Sequence, residues 1–383
     1  MYIHRQAIFR IILSILTVCF LFEQSVSAAG DMKVLPTFRG NHHNTGVFPG
    51  PAPVKGKLKW KFKAESRIRS SPIVHNGVVY FGSSLRTRKG KLPYLYAVDS
   101  ETGKMLWKFK TETSINNSPV IDGKTIYVGD NYKTLYAIDL DTHKLKWVFK
   151  AKEDFDLASP IVIDQKLYIG NMDDNFYALD LKQNGLDIWT FKANRGIMEA
   201  AAYQDGILFF TSNRKLWAVK AKNGEKLWYY KAKKYFYGTP AIADDIVYIG
   251  NKKKMLHAID MASGKLKWSF KAQGVIRTTP AITEDTIFFG SDKDAFYALS
   301  RQDQSIRWKF DIPSDKVISV NSPVIAGNYV YFGLVDGNIY GLDTQTGAVK
   351  WNFKIGAVRS RSGFIFDGVY FIGSDDTYLY AIE

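Results

Sequence analysis

Along most of this chain apolar residues come in short runs, such as Val79-Tyr80-Phe81-Gly82, Leu95-Tyr96-Ala97-Val98-Asp99 and Val247-Tyr248-Ile249-Gly250. Turn residues interrupt these runs every eight to ten positions. β-Branched and aromatic side chains dominate each run, which suits a pleated, half-buried surface and predicts strands. No stretch after the N-terminal segment offers the i, i+3, i+4 spacing of a useful amphipathic helix. The pattern therefore predicts an all-β protein.

The runs repeat. Tryptophans stand at Trp60, Trp107, Trp147, Trp189, Trp228, Trp268, Trp308 and Trp351, 39 to 47 residues apart. After most of them comes a small residue and then proline, as in Ser71-Pro72, Ser118-Pro119, Ser159-Pro160, Thr239-Pro240, Thr279-Pro280 and Ser322-Pro323. The fourth copy has Ala200-Ala201 and the eighth Ser362-Gly363 at these positions. An apolar strand ending in glycine follows, then a third strand, a turn and the next tryptophan strand. Four short strands per repeat of this length is the pattern of a propeller blade.

The third strand connects to the fourth through Ala97-x-Asp99-x-x-Thr102-Gly103-x-x-x-Trp107, with good copies from Ala258 to Trp268 and from Gly341 to Trp351. The aspartate can accept from turn amides and the glycine can take a positive φ. The tryptophan is expected to pack over the small Ala or Gly of the third strand, with its indole N–H seeking a carbonyl. Other copies depart: His143 replaces the turn glycine and Lys220 the aspartate. The last copy stops at Glu383 without a tryptophan strand, whereas Gly56 to Phe62 forms an orphan one at the other end. Residues 57–383 are thus expected to form a single eight-bladed β-propeller of four-stranded blades. The N-terminal strand completes the last blade and closes the ring, which removes open sheet edges.

Upstream, Arg5 and Arg10 precede an apolar run from Ile11 to Phe22, and Val26 and Ala28 stand at −3 and −1 of a cleavage site after Ala28. This predicts a secretory signal peptide over 1–28, too short to span a bilayer comfortably. The only cysteine, Cys19, follows Val18 rather than a small residue, which argues against lipidation. Residues 29–56 form a lead-in. The formal charge of +15 becomes +14 once two arginines and one glutamate of the signal are removed. A lysine follows seven of the eight tryptophan strands, from Lys63 to Lys354, with Asp311 the exception. That spreads charge around a rim instead of along a nucleic-acid track, and export removes nucleic acid as a partner. The rim can attract anionic headgroups, giving peripheral membrane association, or acidic proteins.

The Ala-x-Asp-x-x-Thr-Gly-x-x-x-Trp motif resembles the tryptophan-docking repeat of the pyrroloquinoline-quinone-type propellers. That family includes the quinoprotein alcohol dehydrogenases and the BamB subunit of the outer-membrane β-barrel assembly machine. The resemblance covers 57–383, and Phe38-Arg39-Gly40-Asn41 with Thr45-Gly46 is similar to the lead-in of bacterial members. It implies a propeller. The chain's length and lack of cysteine after the signal imply the BamB-like branch, because many of the dehydrogenases are longer and carry a disulfide of adjacent cysteines.

Residues just before each Ser-Pro step should face the central channel. These positions also include Asn117, Leu157 and Tyr237, and the eight binding candidates among them are Arg67, Arg69, Asn116, Glu199, Arg277, Asn321, Arg359 and Arg361. This arginine-rich set suits an anionic group through bidentate hydrogen bonds, and it equally suits a solvated channel without ligand. The loop Ser83–Pro93 is enlarged, and its basic residues Arg86, Arg88, Lys89 and Lys91 suggest a partner contact or a solvated insertion. The carboxylate pairs Asp173-Asp174, Asp244-Asp245 and Asp375-Asp376 read as turn residues. Zinc, calcium, nucleophile-elbow and phosphate-loop spacings are absent. The chain is therefore expected to be a monomeric, non-catalytic, cofactor-free protein-binding scaffold of the periplasm, associated with the outer membrane. The alternatives are a small quinoprotein-like enzyme and a propeller that binds an anionic ligand or a polymer.

Overall fold

The computed structural model describes residues 34–85, 92–292, 295–313 and 319–383. The expected export signal with Cys19, and the loop residues Arg86, Arg88, Lys89 and Lys91, lie outside them. Over Leu35–Glu383 the chain builds eight sheets around an axis, each with an inner strand that is short in every blade but the fifth, where it spans Phe236–Ala243. In the first blade the strands are Ile73–His75, Val78–Gly82, Tyr94–Asp99 and Met105–Lys110. The inner three are largely buried, whereas the outer strand alternates between exposed and half-buried positions. That alternation explains the sequence pattern, because only the Trp and Phe face of the outer strand packs on the ring.

The ring closes as the orphan strand predicts. Leu58–Lys63 pairs antiparallel with Tyr378–Ile382, Trp60 lying opposite Ala381, so the last blade takes its outer strand from the N-terminal side. Blades pack on one another through aromatic rings. Phe176 stacks on Phe210 and Phe296 on Phe332, each with centroids 4.1 Å apart.

Each tryptophan lies opposite the small residue of its own third strand, as Trp107 does opposite Ala97 and Trp351 opposite Gly341. The indole also reaches the following blade, which the repeat alone did not indicate. A Cβ on Gly103, at φ +70°, would come 2.7 Å from the Trp60 ring. The Trp60 indole N–H donates to the Ser100 carbonyl at 3.0 Å, and Trp189, Trp228 and Trp308 reach Ala221, Met261 and Thr344 in the same way. The glycine is needed both for the turn and as a floor for the neighbour's ring. His143 takes this place at φ 58° and stacks on Trp107 at 4.9 Å. The turn aspartates behave as the motif predicts: Asp99 accepts from the Thr102 hydroxyl and amide, both at 2.7 Å, and these bonds hold its carboxyl below the usual range.

The lead-in is part of the fold. Its carbonyls accept from inner-strand amides of the second and the fourth to seventh blades: Pro36 from Ile121, His42 from Tyr203, His43 from Ile242, Thr45 from Ile282 and Gly46 from Ile325, at 2.8–3.0 Å. Val47–Phe48 then pairs parallel with Val324–Ala326, and Phe48 meets Phe364 edge-on at 4.7 Å. Inner strands are edges with unpaired N–H groups, and the lead-in supplies the acceptors. It thereby floors the channel.

Candidate functional site

The segments that link one blade's outer strand to the next blade's inner strand turn at the other end of the axis. Arg69, Asn116, Arg277, Asn321, Arg359 and Arg361 line a cavity of about 330 Å³ there. Glu199 borders an adjoining space of about 410 Å³ with Tyr237, and Arg277 and Arg361 belong to both. Arg67 stands at the edge, with its guanidinium 3.6 Å from Asp375. The structure therefore brings the eight channel candidates to one mouth.

Carboxylates meet these arginines. Asp375, 13% exposed in its side chain, accepts from Arg69 Nε at 3.0 Å and Nη2 at 3.1 Å, and Arg359 Nε lies 3.2 Å away. Arg361 of the last blade reaches Glu199 of the fourth, on the opposite side of an eight-blade ring, at 2.7 Å. Burial pushes the Glu199 carboxyl up and Arg361 pulls it back. Arg277 donates to Asp292 at 2.6 Å and lies 4.3 Å from the centroid of the Tyr237 ring. Burial raises Asp292 as well, opposed by Arg277. Asn321 accepts from the Gly333 amide at 2.7 Å through Oδ1, and Asn116 Nδ2 stands 3.5 Å from Asp156.

Five arginines thus face Asp375, Glu199, Asp292 and Asp156 within one mouth. The site is polar and largely self-neutralised, so a bound anion would compete with an internal carboxylate. Reading Asp375-Asp376 as a turn pair holds for Asp376, which accepts from the Gly356 and Tyr378 amides. It fails for Asp375, the anchor of three arginines. The signal was positional. Asp375 and Asp292 each stand two residues after the glycine that ends a second strand, as do Asn131, Met172, Lys252 and Val335. That position turns to the mouth in blade after blade.

On the rim of the same end, Tyr132, Met172, Met198 and Tyr235 expose 57, 36, 41 and 47% of their surface. Met198 and Tyr235 line the larger space beside Glu199. The mouth is therefore two-sided, with arginines toward the first, sixth and eighth blades and apolar groups toward the second to fifth.

A family model described as outer membrane protein assembly factor BamB matches residues 93–239 and 231–366, more than half of the chain. The chain belongs to the BamB family. Among solved structures, BamB from Moraxella catarrhalis is 16% identical with a TM-score of 0.69, over 85% of this chain and 98% of that one. A quinohemoprotein alcohol dehydrogenase from Comamonas testosteroni is 13% identical with a TM-score of 0.76, over 93% and 81%. The computationally designed Ika8 protein is 14% identical with a TM-score of 0.73, over 85% and 99%. Likeness at these identities shows the propeller fold alone, since one fold hosts unrelated activities. Comparison by sequence with curated proteins gives no match.

Asp375, Glu199 and Asp292 are each engaged by an arginine. Among the described residues no three His, Cys, Asp or Glu gather for a cation. Calcium needs six to eight oxygens, and a cation here would meet guanidinium groups first. Also among the described residues, no helix is long and apolar enough to cross a membrane.

Proposed function

We propose that this chain is an exported, non-catalytic propeller that serves as a protein-binding scaffold in outer-membrane β-barrel assembly. The match to the BamB family model across 93–366 carries this reading. The two-sided mouth supports it. Exposed aromatic and methionine side chains beside ion-paired arginines have the composition of a docking surface, with apolar anchors rimmed by polar groups. Because the arginines are already held by carboxylates, they offer a partner a rigid pattern of donors with little side-chain entropy left to lose. The signal expected in residues 1–28 supports a periplasmic location, where the basic rim would favour association with the outer membrane.

The test is crosslinking in intact cells that carry the protein with a flexible C-terminal tag, followed by mass spectrometry of what co-purifies. Recovery of barrel-assembly components is expected, with at least a tenfold drop in a Met198→Asp/Tyr235→Asp variant that stays folded. Recovery of the protein alone, or of the same partners undiminished from that variant, would overturn the scaffold reading or its assignment to the mouth, respectively.

A further inference from the structure

Arg39 is 1% exposed, and among the described residues its guanidinium meets no carboxylate. Nε donates to the Asn44 carbonyl at 2.9 Å, and Nη2 to the Pro280 and Thr45 carbonyls at 3.0 and 3.4 Å. Nη1 has no partner. Within its electrostatic reach lies Tyr370, fully buried, and next to that Asn321 Nδ2, also buried; among the described residues neither the hydroxyl nor Nδ2 has a hydrogen-bond partner within 3.5 Å, each being the other's nearest polar neighbour. The Asn321 amide is oriented by Oδ1, which the Gly333 N–H occupies, so Nδ2 is the group turned to the tyrosine. Three buried donors, one of them cationic, thus gather under the mouth where the lead-in meets the seventh and eighth blades.

The repeat shows that this arrangement is special to one blade. Tyr370 stands three residues before the strand-ending glycine, a place held by an aliphatic residue in the other copies, from Val79 in the first to Val330 in the seventh. Gly363 replaces the proline that most copies carry. A Cβ there would come 2.5 Å from the Tyr370 hydroxyl, so the glycine admits the phenol. Two departures in one blade place a phenol within electrostatic reach of a buried guanidinium.

A buried cation surrounded only by neutral dipoles is costly unless a counter-charge joins it. Burial pushes Arg39 down to about 9, opposed by the nearby Tyr370. A water molecule would satisfy hydrogen bonds but leave the charge. We propose that Arg39 Nη1, the Tyr370 hydroxyl and Asn321 Nδ2 hold a small monovalent anion of chloride size, which ties the lead-in to the seventh and eighth blades. The ligand is structural and lies beneath the mouth, so the proposal stands apart from the scaffold reading.

The test uses the mature protein purified in gluconate. Thermal unfolding is followed against chloride and bromide at constant ionic strength, and crystals soaked in bromide are measured at its absorption edge. An anomalous peak touching Arg39 Nη1 and Tyr370 Oη is expected, together with a rise in Tm of about 4 °C when halide exceeds its Kd a hundredfold. Tyr370→Phe should weaken halide affinity at least tenfold. Asn321→Asp keeps the acceptor for Gly333 and supplies its own carboxylate, so its Tm should no longer respond to halide. A bromide peak confined to the mouth cavity, a water at the node, or a wild-type Tm that follows ionic strength alone would overturn the proposal. The wild-type readouts decide it even where a variant fails to fold.

Discussion

The two ends of the channel are built by different means. At the floor, a segment outside the repeats places main-chain carbonyls against inner-strand amides of blades two, four, five, six and seven. At the mouth, side chains that begin the blades pair with one another across the axis, as Arg361 and Glu199 do, and leave cavities between them. Main-chain pairing is short and directional, whereas long charged side chains span a gap and present donors to a partner. The floor is therefore the structural end, and the mouth is the end suited to recognition.

The largest expected effect comes from breaking the floor. Deleting residues 35–50 leaves buried amides of at least five blades without acceptors, each costing about 1–3 kcal/mol. Cooperative urea unfolding should be lost. A milder version is Gly46→Val. Gly46 has φ +69°, and a Cβ there would collide with the Arg39 guanidinium, so a loss of about 3 kcal/mol or more is expected. A normal urea midpoint for either variant would show that the floor is dispensable.

At the mouth the corresponding change is Arg361→Leu, which strands the buried Glu199. Its stability should fall by about 2–4 kcal/mol at neutral pH, below the cost of breaking the floor, because the Arg361 side chain is 29% exposed. Glu199→Gln in the same background should restore most of that loss, which double-mutant unfolding would measure.

The ends should also differ in pH response. Burial lowers His42, helped by His43, and burial lowers His43, so both are more acidic in the folded chain than the ordinary 6.5. The unfolded chain then binds more protons below 6.5, and the floor's contribution is lost as pH falls through that range. Glu199 is raised above its ordinary 4.5, so the folded chain binds its proton more tightly and the mouth loses stability as pH rises from 4.5 toward the folded value. Urea midpoints from pH 4 to 8 should lose part of their acid-side fall in His42→Gln/His43→Gln and part of their opposing slope in Glu199→Gln. His257, pushed down to about 4 by burial, adds an acid-side loss common to both variants.

The smallest effect on folding is expected from Arg359→Ala. Its side chain is 53% exposed, and such pairs contribute up to about 1 kcal/mol. Unfolding should barely change while partner recovery from crosslinked cells falls, which would separate the mouth's recognition role from its structural one.

Much of this fold was legible before any coordinates. The spacing of eight tryptophans, the Asp-x-x-Thr-Gly turn and the orphan strand around Trp60 specify the blades and the ring closure, because they encode local strand periods and turn chemistry that recur. The grouping of the eight channel candidates at one end was legible for the same reason, since each precedes an equivalent step. Asp375 was not, because a lone aspartate in a turn looks alike whether it caps an amide or holds three arginines. The use of Gly103 by Trp60 was hidden too, as the contact lies between blades.

By itself, the sequence determined a repeated, closed, all-β ring and the family to which it belongs, because period, turn and strand preferences are set over a few neighbouring residues. Only the tertiary structure decided that the lead-in floors the channel, that Arg361 and Glu199 meet across it, and that Arg39 lies buried beside Tyr370. Those contacts join residues 85 to more than 300 positions apart, and their energies come from burial and opposing charge, neither of which exists until the ring has closed.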